Sequence, residues 1–97
     1  MDMNEIFNEL ENMREMVLFN LGSVDYKVNA IIMSGNRNVG YIERVFDEIL
    51  DYMGLCYYEV KPVFLKLLEY IYTFDEELTD DYINIFNSMF DEKIRKL

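Results

Sequence analysis

Apolar positions recur at helical spacing along most of this chain, and they divide it into segments. Met3, Ile6, Phe7, Leu10, Met13, Val17 and Leu21 follow one another at three and four residues, which predicts a first helix over 3–21. Asp2 or Asn4 can cap its start, and Gly22 stands where a left-handed residue would close it. Tyr41, Ile42, Val45, Phe46, Ile49, Leu50 and Met53 mark a second helix over 39–53, with Asn38 as its cap and Gly54 after its end. The run from Val60 to Phe74 is the densest in apolar side chains. Its pattern at Val60, Phe64, Leu67, Leu68, Ile71 and Phe74 predicts a helix over 62–74 with Pro62 in the first turn. A helix this apolar must be covered by the others. A last helix follows Thr79, read as its N-cap, with Asp80 and Asp81 in the first turn. Its apolar face is Tyr82, Ile83, Phe86, Met89, Phe90, Ile94 and Leu97, and Lys93, Arg95 and Lys96 sit near its end.

Residues 23–34 read two ways. Ser23 can cap a helix with Val24, Val28, Ile31 and Ile32 on one face and Gly35 at its end. The same residues from Val24 to Ala30 alternate as a strand would, and the only partner for it in this chain is Cys56–Val60. Helix is preferred, because a two-stranded sheet is marginal alone. Ser34 to Asn38 is a loop. The expected fold is therefore all-α: one domain over 1–97, a compact bundle of four or five helices, with a minor β possibility at 24–33 and 56–60. Phe64, Leu68, Ile71, Phe46, Leu10, Phe86 and Phe90 are the expected core.

Composition narrows the function. Apolar residues make up 52% of the 97 and charged residues 29%, a globular balance. One proline and four glycines leave too few tight turns for a β-sandwich. No apolar run approaches the roughly 18 residues of a membrane span, and no secretory signal is visible. The expected location is the cytoplasm, or a host's cytoplasm for a phage or viral protein.

The chain has no histidine, which removes the commonest general base and metal ligand. Cys56 is the only cysteine, lies among apolar neighbours and reads as a buried thiol. The glycines at 22, 35, 40 and 54 are too scattered to cradle a phosphate. The acids of 75–81 lack the alternating ligands and the glycine of a calcium loop. The expectation is a non-enzymatic protein without catalytic residues, metal or cofactor.

What remains is charge. Nineteen acids against nine bases give a net charge of −10, which makes bare nucleic acid and anionic membranes poor partners and a basic protein surface a good one. Acidity of this size also serves solubility alone. The placement of the acids is more pointed. Glu43, Asp47 and Asp51 fall at i, i+4 and i+8, and Asp75, Glu76, Glu77, Asp80 and Asp81 crowd seven residues. Asp2, Glu5 and Glu9 form a further row, and Glu11 and Glu15 another. Like charges four apart cost a helix a few tenths of a kcal/mol per pair, and their repeat of about 6 Å is of the same order as successive phosphates on a strand.

Eight tyrosines add interface-prone side chains, and Tyr57 or Tyr58 is expected to be partly exposed because adjacent residues cannot share one face, Tyr58 being taken as the contact candidate. The leading expectation is a module that docks on a basic surface of a larger, nucleic-acid-binding protein, with Glu43, Asp47, Asp51, Asp75, Glu76, Glu77, Asp80, Asp81 and Tyr58 at the contact. Small phage-type inhibitors of host defence (anti-CRISPR or anti-restriction nucleic-acid mimics) share this size, charge and missing chemistry, though not a motif. The alternative is a structural or adaptor subunit acting through an apolar helix face, most simply as a homodimer.

Overall fold

In a computed structural model, residues 2–90 are described and form helices α1 (Met3–Ser34), α2 (Val39–Met53), α3 (Tyr57–Tyr72) and α4 (Glu76–Phe90). No strand occurs among the described residues. Both segments with β potential are helical: 24–33 lies within α1, and 57–60 opens α3.

The helix α3 is the centre of the bundle and packs against each of the other three. Val60, Phe64, Leu67, Leu68 and Ile71 on it are fully buried. It starts one turn before the expected boundary, so Pro62 is the sixth helical residue rather than a member of the first turn. The missing N–H leaves the Tyr58 carbonyl without its helical donor, a loss softened by the exposure of that turn. Phe46 of α2 meets Phe64 edge-on at 5.5 Å, and Phe86 of α4 stacks on Phe64 at 4.9 Å. Three helices thus converge on one aromatic cluster.

The helix α2 has its expected bounds, with Asn38 Oδ1 accepting from the Tyr41 N–H at 3.0 Å and Gly54 at the C-cap. At the other end of the 35–38 loop, Gly35 closes α1 at φ 64°, a left-handed conformation that suits glycine.

Three further points differ from the sequence reading. First, α1 does not stop at Gly22 but runs straight through Gly22 and Ser23. A mid-helix glycine costs about 1 kcal/mol. Val17, Val24, Val28 and Ile31 bury one continuous stripe across it, and ion pairs Arg14–Glu59 and Lys66–Asp25 tie α1 to α3 on both sides of it. Packing overrides the local signal. Second, α4 begins at Glu76. Asp75, not Thr79, caps it, accepting from the Leu78 N–H at 3.0 Å. Thr79 is a buried interior residue whose hydroxyl donates to the Asp75 carbonyl at 2.9 Å. Third, Leu10 is 47% exposed rather than core. Residues 3–13 of α1 are all exposed and precede Arg14, beside which α3 begins through Glu59 and Cys56. Of the remaining expected core, Phe64, Leu68, Ile71, Phe46 and Phe86 are buried, and Phe90 is half-buried. Ile94, Leu97, Lys93, Arg95 and Lys96 lie outside the described residues.

Candidate functional site

Helical spacing that turns Ile42, Val45, Phe46, Ile49 and Leu50 inward turns Glu43, Asp47 and Asp51 away from the core. Asp47 and Asp51 are exposed and Glu43 is half-buried. Among the described residues no ion pair reaches these three. The six described bases have other contacts. Arg14 pairs with Glu59, Lys27 with Glu48 at 3.2 Å and Lys66 with Asp25 at 2.7 Å, all on seams between helices. Arg37 lies over the Phe74 ring, Arg44 over Tyr41 and Lys61 over Tyr57.

Tyr82 joins the α2 row to the acids of α4. Its ring stacks on Phe46 at 4.2 Å, and its hydroxyl faces Asp47 Oδ1 at 3.3 Å and the Glu43 carbonyl at 3.4 Å. Burial, followed by the charges of Asp47, Glu43 and Asp81, holds the phenol well above the ordinary tyrosine range. One surface therefore contains Glu43 and Asp47 of α2 and Asp81 of α4. Glu76, Glu77 and Asp81 are exposed, Asp80 is half-buried, and Asp75 has the structural role of cap. Asp81, distant from Glu43 and Asp47 in sequence, is brought near them around Tyr82.

Tyr58 is 84% exposed, as expected for a residue beside the half-buried Tyr57. Tyr57 contacts Phe86 and Phe90, so this turn of α3 adjoins the end of α4 opposite to its acids.

Cys56 is buried, and its thiol faces the Arg14 carbonyl at 3.7 Å. Desolvation pushes its pKa up, so the reactive thiolate is disfavoured. No group of three or more cysteine and carboxylate side chains among the described residues is placed to hold a metal ion. An open groove between α1 and α3, lined by Leu18, Leu21, Gly22, Pro62 and Val63, has Lys66 and Asp25 at its edge, and those two are already paired.

The sequence reading assigns α1 one apolar face, and the structure exposes a second. Met16, Phe19, Tyr26 and Met33 all lie on the solvent side of α1, each at least 65% exposed. The signal was available as spacing, but it crosses Gly22 and is invisible once the helix is cut there. No helix among the described residues is long and apolar enough to cross a membrane. Compared with protein-family models, with curated proteins and with solved structures, the chain matches none.

Proposed function

We propose that this protein is a non-enzymatic binding module that docks its acidic α2–α4 face on a basic surface of a larger partner, in the manner of a nucleic-acid mimic. The observation that carries this reading is the row Glu43, Asp47 and Asp51, to which no base among the described residues is ion-paired, while the described bases are held on helix seams or over aromatic rings. Like charges in a row bring a helix no stability. On a rigid scaffold they present a fixed array to cations, which speeds association and selects against acidic partners. Asp81 beside Tyr82 extends the array onto a second helix. A role in blocking a nucleic-acid-binding protein of a host defence system fits this chemistry.

The test compares two triple variants against a partner isolated by pull-down from the source cell. Glu43→Gln, Asp47→Asn and Asp51→Asn together should slow association by about tenfold or more at low salt and leave dissociation less changed. The matched triple Asp2→Asn, Glu5→Gln and Glu9→Gln should have a smaller effect. Binding by the unmodified protein should weaken steeply with salt and be displaced by a DNA or RNA duplex. If both triples bind normally and Tyr58→Ala does not, the acidic face only solubilises the protein, and an apolar contact carries the function.

A further inference from the structure

We propose that the solvent face of α1 is the seam of a homodimer, in which two α1 helices pack antiparallel across a two-fold axis between Val24 and Asp25. This proposal is independent of the acidic face. Its basis is a row of residues that no other part of the described chain covers: Asn12, Met16, Phe19, Ser23, Tyr26, Ala30 and Met33. All seven are exposed. Their spacings are 4, 3, 4, 3, 4 and 3, the heptad repeat of a helix that pairs with another helix. The bundle's own stripe, Val17, Val24, Val28 and Ile31, occupies the other side of the same helix.

Charge singles out this stretch. Residues 2–15 hold five acids and one base, yet from Met16 to Ser34 the only charged residues are Asp25 and Lys27. Both point into their own bundle, Asp25 to Lys66 and Lys27 to Glu48. On a chain of net charge −10, the seam is the segment where a second acidic copy approaches with least repulsion. The row of apolar residues at 3–13 lacks this property, because Glu5, Glu9 and Glu11 lie in the same stretch.

Side-chain size sets the direction. Antiparallel pairing about the 24/25 midpoint places Phe19 opposite Ala30 of the partner subunit, Tyr26 opposite Ser23 of the partner subunit, and Met16 opposite Met33 of the partner subunit. Large meets small in the inner layers, as a close-packed interface requires. Parallel pairing would set Phe19 on Phe19 and Tyr26 on Tyr26 and leave hollow layers at Ser23 and Ala30. The area is also sufficient. Met16, Phe19, Tyr26 and Met33 are 65%, 87%, 75% and 87% exposed. At roughly 150–200 Å² per large side chain this is on the order of 500 Å² per protomer, so two protomers reach about 1,000 Å², where specific interfaces begin.

The experiment is sedimentation equilibrium of the 97-residue chain up to about 100 µM, with circular dichroism as the check on folding. The unmodified chain should sediment at twice the mass of one chain, with little dependence on salt. Phe19→Asp should raise the dimer dissociation constant by about 100-fold or more at unchanged helicity, and Leu10→Asp should leave the dimer intact. A size swap tests the register. Phe19→Ala and Ala30→Phe should each weaken the dimer by about tenfold, and the double variant should recover most of the loss. Recovery follows only if 19 and 30 share a layer. A monomer at the highest concentration overturns the proposal. So does a dimer that survives Phe19→Asp and is lost with Leu10→Asp, which moves the interface to residues 3–13. Failure of the double variant to recover overturns the antiparallel register. None of these outcomes touches the acidic-face reading, whose signature is a contact that weakens with salt.

Discussion

Two helices of this protein, α1 and α2, carry apolar residues at the same spacing and use them differently. In α2, Ile42, Val45, Phe46, Ile49, Leu50 and Met53 form one stripe, and all six are buried in 15 residues. In α1, 32 residues bury only Val17, Val24, Val28 and Ile31. Leu21 and Ile32 are partly packed on the core, and its remaining large apolar side chains stand in water, both on the turns before Arg14 and along the back of the helix. Periodicity says which face of a helix seeks cover. Whether the cover lies in the same chain depends on length. At 1.5 Å per residue, α1 is about twice as long as α2 or α3, so the two helices packed on it cannot span it, and they lie on only one of its sides.

Matched leucines give the sharpest way to break this comparison. Leu50 of α2 is 6% exposed and Leu10 of α1 is 47% exposed. Leu50→Ala should cost about 2–5 kcal/mol of unfolding free energy, the range for a leucine whose cavity cannot fully collapse. Leu10→Ala, on a turn with little packed against it, should cost about 0.5 kcal/mol or less in dilute protein. Urea denaturation measures both. Equal losses would mean that the first turns of α1 are covered after all.

The same contrast explains what could be read from the sequence. The all-α class, the bounds of α2, the central place of α3 and the exposure of one of Tyr57 and Tyr58 were legible, because each rests on strong periodicity or adjacency within one element. The misplaced boundaries share a cause: a local signal was read without the packing that outweighs it. Gly22 resembles a helix end, but Val24 and Val28 hold it in line. Thr79 resembles a cap, but Asp75 occupies that role one turn earlier. Exposure of Leu10 was not legible, since nothing in its spacing differs from that of Val17. The acid row on α2 was legible as a row. Its meeting with Asp81 across Tyr82 is tertiary and has no trace in local pattern.

Helix caps sharpen the comparison at a smaller scale. Asp75 accepts from the Leu78 N–H, and Asp2 accepts from the Glu5 N–H at 2.9 Å. The chemistry is the same, but one cap starts a packed helix and the other an overhanging one. Asp75→Ala should lower global stability by about 1 kcal/mol. Asp2→Ala should fray the first turns of α1 and leave the global midpoint nearly unmoved, since local opening there does not require the bundle to unfold. Hydrogen exchange separates the two: protection should fall at 5–9 alone for Asp2→Ala, and throughout the bundle for Asp75→Ala.

A small effect at neutral pH comes from Tyr82, where the stripe of α2 meets its polar edge. Its hydroxyl contacts at 3.3 and 3.4 Å are long, so Tyr82→Phe should cost about 0.5 kcal/mol at pH 7, the low end for a hydrogen bond. At alkaline pH the sign turns against the unmodified protein. Burial and the charges of Asp47, Glu43 and Asp81 raise the folded-state pKa above the ordinary tyrosine value of about 10. Below pH 10 the phenol is protonated in both states and contributes no slope. Above it, the unfolded chain releases the proton while the folded chain retains it, so the folded state binds more protons and stability falls as pH rises, by up to about 1.4 kcal/mol per pH unit from this group. Tyr52 and Cys56, also shifted upward by burial, give the same trend in both proteins and cancel in the comparison. Tyr82→Phe should therefore be the less stable protein at pH 7 and the more stable one near pH 11, with the two urea midpoints crossing between. Parallel midpoints across that interval would show that Tyr82 ionises freely, and that the acids of α2 and α4 do not meet around it.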